Sequence, residues 1–263
     1  MFAECITPQE IEKLEYASFP GKIYVIDSVG AEFNRAIAYL RSQKVIGFDT
    51  ETRPTFTPSQ PRYGVALLQL SGPDKAFLFR VKTIGMHRRL CNLLASEKII
   101  KVGAAIHDDI RGLQRHRDFV PDGFVDLQKI VWEWGIRDKS VKKMAAIIMG
   151  IRISKTQQLS NWEAETLNEA QCRYAATDAW VCIHIYEEIL KLNATGYMLE
   201  VIPEPAPPAP PPLTPEQIRE KEEKKRQKEK ERRKRKRQRE KEQKAKSKNR
   251  ANKEKIKNIK EII

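Results

Sequence analysis

The sequence predicts an α/β fold, a mixed β-sheet flanked by helices, followed by a charged C-terminal extension. Three observations predict it. Short apolar runs bounded by turn residues come first, helical periodicity takes over from Ile106, and one helical stretch separates two of the runs as a strand–helix–strand crossover. The chain has 263 residues and 40% hydrophobic content, low for a wholly globular protein of that length. The deficit is local and belongs to the extension.

Taken in order, Thr7-Pro8-Gln9-Glu10 has the pattern of a capping box with proline at the first helical position, so a short helix starts there. The runs "KIYVID", "VIGFDTE", "VALLQLSG" and "KAFLFRV" read as strands, with a helix over 31–42 between the first two. A helix in "IGMHRRLCNLLAS" leads into the strand "KIIKVGA". In "KVGAAIHDDIRGL" that strand turns into a helix whose first turn holds Asp108 and Asp109. The last helix of the domain starts near Asn168, where "NEAQ" makes another capping-box-like start, and runs through "CRYAATDAWVCIHIYEEILK". No internal repeat interrupts this order.

The domain is expected over 1–202. Residues 203–215, "PEPAPPAPPPLTP", carry too much proline for helix or sheet and read as a stiff, extended linker. Residues 216–263 hold 23 Lys and Arg against 10 Asp and Glu, which leaves 26 against 25 for the rest. Of the net charge of +14, +13 therefore belongs to the tail. With no apolar period but many i,i+4 charge pairs, the tail reads as a disordered arm or a solvated, exposed helix rather than a coiled coil. Such an arm suits nucleic acid or an acidic partner.

Cys5, Cys91, Cys172 and Cys182 have neither zinc-site spacing nor the density of a disulfide scaffold, so reduced thiols are expected. The first residues carry acids where a signal peptide needs a basic start, and no apolar run is long enough for a membrane span. A soluble, cytoplasmic protein is the expectation.

One strand departs from the apolar pattern. "VIGFDTET" places Asp49 and Glu51 two residues apart, hence on one side of the strand with Thr50 opposite. Adjacent carboxylates repel, and burial adds to the cost, so the pair makes best sense around a cation. Tyr174 and Asp178 lie four apart on one helical face. With Asp108 or Asp109, each also in place to favour its helix N-terminus, these acids offer the oxygen donors that hard divalent cations accept.

At this point the sequence resembles a known family. "FDTET", "KVGAAIHDDI" and "YAATDAW" are similar, in order and spacing, to the three motifs of the DEDDy-type 3′–5′ exonucleases, with the ribonuclease D and Werner-type branches nearest. "SKTQQLSNWEAETLNEAQ" extends the likeness through a Lys, a Ser-x-Trp element and a Gln. The resemblance covers roughly residues 25–192. It implies a ribonuclease-H-like fold and a metal-dependent 3′–5′ exonuclease acting on the 3′ end of DNA or RNA, single-stranded or frayed, with two divalent metal ions, Mg2+ or Mn2+. By this likeness Asp49 bridges both ions, Glu51 and Asp178 complete one site, Asp109 rather than Asp108 holds the other through water, and the Tyr174 hydroxyl orients the attacking water. The likeness also sets Lys155 against a substrate phosphate, and Trp162, of the four tryptophans, is the candidate to stack on a base.

Asp126 reads as a helix cap, and His87, His107, His116 and His184 have no metal-ligand spacing. No helical nucleic-acid-binding module is read after Leu192, which favours the Werner-type branch and DNA. The competing reading is a nucleic-acid-binding or scaffold protein that keeps the fold with weak catalysis.

Overall fold

The computed structural model describes residues 2–57 and 63–194. The linker expected over 203–215 and the tail over 216–263 lie outside the described residues.

The chain order is α1 (Pro8–Glu12), β1 (Glu15–Tyr16), β2 (Lys22–Ile26), α2 (Ala31–Ser42), β3 (Val45–Thr52), β4 (Val65–Ser71) and β5 (Lys75–Phe79). Then come α3 (Val81–Ile84), α4 (Arg88–Leu94), β6 (Ile100–Gly103), α5 (Ile106–Gln114), β7 (Phe124–Asp126) and α6 (Leu127–Glu133). The order closes with α7 (Val141–Met149), β8 (Ile151–Arg152) and α8 (Glu169–Ala194). Both expected capping boxes form. Thr7 and Glu10 exchange bonds at α1, and Asn168 accepts from the Gln171 backbone at 2.8 Å while its own N–H donates to the Gln171 side chain at 3.0 Å.

Among the described residues six strands make one sheet in the order β2-β5-β4-β3-β6-β7. β4 runs antiparallel to β3 and β5, whereas β2/β5, β3/β6 and β6/β7 are parallel, so the sheet is mixed. β1 and β8 pair separately. The helix expected across residues 84–96 is shorter, because Gly85 adopts φ 62° and ends α3 before α4 begins. β1, β7 and β8 went unread in the sequence, being two or three residues long and too short to show a period.

Each sheet face is covered differently. Ile46, Phe48, Leu68, Leu70, Phe77 and Phe79 pack with Phe33, Ile37 and Leu40 of α2 and Leu90 of α4. On the other face Leu67 and Leu78 pack with Tyr174 and Ala175 of α8. Each element thus buries the stripe its periodicity supplies. Every residue of β4 is buried, as expected of a central strand covered on both faces.

Gly47 sets how closely α8 approaches. A Cβ there would lie 1.8 Å from the carbonyl oxygen of Ala179, so only glycine lets the α8 backbone rest on β3. Gly47→Ala is expected to destabilise the fold by at least the ~1–3 kcal/mol typical of overpacking, since the obstacle is backbone. A denaturant melt checks this, and a loss under about 0.5 kcal/mol, ordinary for a surface change, would contradict the packing described.

Candidate active site

β3 and α8 build the site between them. Gly47, Asp49 and Glu51 share one face of β3 by strand alternation. The contact at Gly47 brings the first half of α8 across that face, and Asp178 precedes the contacting Ala179. One carboxylate oxygen from each of Asp49, Glu51 and Asp178 then falls within 4.8 Å of the others. Asp49 and Glu51 are half-buried, and Asp178 is 4% exposed.

Three acids so close, one buried and two half-buried, oppose one another's ionisation. Burial, then the neighbouring Asp178 and Asp109, hold the Asp49 carboxyl well above its ordinary value. Burial, then Asp49 and Asp178, push Glu51 up to about 10. Burial also raises Asp178, against the opposing pull of Lys155, whose Nζ lies 3.6 Å from Asp178 Oδ2. Asp178 Oδ1 is buried without a hydrogen-bond partner. An orphaned carboxylate oxygen amid oxygen donors fits a hard divalent cation, so Asp49, Glu51 and Asp178 would hold one.

These shifts have a sign that can be measured. Between the ordinary and the raised pKa the folded protein keeps a proton that the unfolded chain releases, so stability falls as pH rises across that window. For Glu51 the window runs from its ordinary 4.5 to about 10. The metal-free melting temperature is therefore expected to fall steadily from about pH 5 to about pH 9, and Glu51→Gln should flatten the slope. Melts in a chelator check it; a metal-free profile that rises with pH would contradict the buried cluster.

Asp109 arrives from the other face. Thr50, opposite Asp49 and Glu51 on β3, donates its hydroxyl to Asp109 Oδ1, and α5 packs on the Thr50 side. Asp109 therefore stands outside the close group of three, although its charge still reaches Asp49. Burial pushes its carboxyl up to about 6. Asp108 is exposed and pairs with His107 at 3.6 Å. Of the two rivals, Asp109 is the one turned towards the site.

α5 begins under strain. Its N-cap, Ala105, is the one non-glycine residue with positive φ among the described residues, at 56°. Asp126 holds it there, accepting from the Ala105 N–H at 3.1 Å and from the Gln128 N–H at 3.0 Å. The Asp126 carboxylate thus caps α6, as expected, and also anchors the turn that aims α5. The sequence offered no sign of the second task.

Tyr174 sits one turn before Asp178 and is 5% exposed. Burial, then the charges of Asp178 and Glu51, raise its hydroxyl well above the ordinary value, so it stays protonated. Lys155 is 30% exposed and lies 5.8 Å from the Tyr174 ring centroid. Trp162 corrects the sequence reading. It is fully buried, with its ring 5.9 Å from that of Tyr174, and presents no face on which a base can stack. Its bulk backs Tyr174 instead. The segment that carries Lys155 and Trp162 is tied down by Arg80, which donates to the carbonyls of Ala164 and Glu165, and by Glu163, which pairs with Lys82 at 3.0 Å. Arg80 was missed because its partners are backbone carbonyls, which leave no mark in a sequence.

Fold and cluster together define an α/β protein in which a central strand and a long helix bring three carboxylates together, a set that could hold a divalent cation. The family model described as 3′–5′ exonuclease matches residues 24–193, and the chain belongs to that family. It is 29% identical over 207 residues to the bifunctional 3′-5′ exonuclease/ATP-dependent helicase WRN of Mus musculus, covering 73% of this chain and 14% of that protein. It is 28% identical over 177 residues to ribonuclease D of Cronobacter turicensis, covering 65% of this chain and 47% of the other. The chain thus spans less than half the length of both relatives. Escherichia coli RNase D has the same ribonuclease-H-like fold, with a TM-score of 0.58 at 23% identity over 67% of this chain and 46% of that one.

Proposed function

We propose that the chain is a metal-dependent exonuclease that removes nucleotides from the 3′ end of DNA or RNA with two divalent cations, Mg2+ or Mn2+. The observation that carries this reading is the convergence of Asp49, Glu51 and Asp178 within 4.8 Å beside Tyr174, in a chain of the 3′–5′ exonuclease family. Divalent cations bound there would acidify water and neutralise charge developing on the phosphate.

The chain's own groups supply the rest. Asp49, Glu51 and Asp178 hold cations, with Asp109 contributing from the α5 side. Because Tyr174 keeps its proton, its hydroxyl orients the attacking water rather than acting as the base. Lys155 is exposed enough to leave Asp178 and meet a substrate phosphate. The test is degradation of matched 5′-labelled DNA and RNA oligonucleotides, with Mn2+ or with chelator. Metal-dependent shortening from the 3′ end is expected, and the faster polymer identifies the substrate. Binding without shortening under any metal would favour a scaffold protein instead.

Asp109→Asn is expected to lose most activity and Asp108→Asn to keep it, judged by the same assay. The opposite ranking would mean that Asp108 is the functional acid.

The basic tail is proposed to raise the local concentration of nucleic acid, since phosphate neutralisation by Lys and Arg is independent of sequence. Deleting residues 216–263 should weaken binding to a single-stranded oligonucleotide and flatten its salt dependence, with turnover at saturation nearly unchanged. Identical slopes of log affinity against log salt, with and without the tail, would exclude that role.

A further inference from the structure

Gln69 is a buried polar side chain that the site described above does not use. It is 0% exposed in the middle of β4, and neither its Nε2 nor its Oε1 has a hydrogen-bond partner. Buried amides are nearly always paired, because an unpaired one keeps the whole cost of losing water. Its neighbours Leu67, Leu68 and Leu70 show what packing alone would select here. An amide at this position therefore calls for a partner.

The register of the sheet supplies one. Gln69 lies directly opposite Asp49 in the antiparallel β3/β4 pair, as Leu67 lies opposite Glu51. Residues directly opposite in such a pair project from the same face, with Cβ atoms about 4.5–5.5 Å apart. Gln69 thus shares the face of Asp49, beneath α8, and Leu67 on the same face packs against Tyr174 and Trp162. A carboxylate oxygen that grips a cation keeps a second lone pair, and a neighbouring amide N–H donating to it fixes the carboxylate's orientation.

We propose that Gln69 is a positioning residue for Asp49: its side-chain amide donates to the Asp49 carboxylate when that carboxylate holds a divalent cation, fixing the orientation of the carboxylate. This rests on the metal-site reading above. The amide is then left unpaired without metal and satisfied with it, so the polar group favours the loaded state at the expense of the empty one.

The test uses the full chain with Gln69→Leu and Gln69→Met, both of which keep volume and remove the amide. Two quantities are read, neither requiring turnover: Mn2+ affinity by isothermal titration, and the melting temperature in chelator. The expected result is Mn2+ affinity weaker by about 10- to 100-fold, the usual cost of losing an outer-shell partner, with a metal-free melting temperature equal to or above that of the wild type. A purely structural glutamine would give the reverse, a lower melting temperature and unchanged affinity. Wild-type Mn2+ affinity in either folded variant overturns the proposal. Failure of both variants to fold overturns it as well, since the amide would then be needed before any metal arrives. If the wild type itself binds no Mn2+, it is the metal-site reading that fails.

Discussion

Replacing Asp178 by Ala is expected to abolish nuclease activity while leaving the metal-free protein at least as stable as the wild type. Most buried-residue truncations cost stability, so the sign is informative. Asp178 is 4% exposed and one of its oxygens has no hydrogen-bond partner, and burial outweighs the opposing pull of Lys155, 3.6 Å from the other oxygen, and of the Tyr174 hydroxyl, so its carboxyl stays above the ordinary value. Its neighbours Asp49 and Glu51 are acids. Removing it relieves repulsion and desolvation together, while Lys155, 30% exposed, can turn to solvent. On the proposed reading the same deletion also removes a metal ligand, and activity should fall at least roughly 100-fold, beyond the cost of losing an outer-shell partner. Digestion of a 5′-labelled oligonucleotide and a melt in chelator read the two effects. Activity above a few per cent of wild type would sink the role given to Asp178, and a clear drop in melting temperature would show that the carboxylate contributes to the empty fold.

Tyr174→Phe carries the second large effect. The ring packs with Trp162, Leu67 and Ala175, and phenylalanine keeps all of that surface. The hydroxyl alone disappears. If it orients the attacking water, turnover should fall by roughly 10- to 1,000-fold, the range for groups that position a proton or nucleophile. Mn2+ affinity and the melting temperature should barely move. Wild-type turnover would reduce Tyr174 to a packing residue, whereas a large loss of metal affinity would show that its hydroxyl supports Asp178 rather than water.

Parts of the site were legible because they obey single-element periodicities. Strand alternation put Asp49 beside Glu51, and helical spacing put Tyr174 above Asp178. The helix over 31–42 and the capping box at Asn168 were legible for the same reason, since local hydrogen bonds and apolar periods specify them. Trp162 was misread. The Ser-x-Trp pattern says where the residue stands along the chain, and says nothing of the Leu67, Leu78 and Ala175 surface that closes over it.

What the sequence determined by itself, then, is the content of the cluster: which acids occur, and which pairs share a face of one strand or one helix. The tertiary structure alone decided that the pairs meet. Asp49 and Asp178 are far apart in the chain, and they converge because Gly47 lets the α8 backbone settle on β3. The fold also set Asp109 on the opposite face, in the hands of Thr50, and placed Gln69 opposite Asp49 through the β3/β4 register. The physical reason is one of range. Backbone geometry fixes directions within an element, whereas the distance between remote elements follows from close packing summed over many side chains, which no short motif contains.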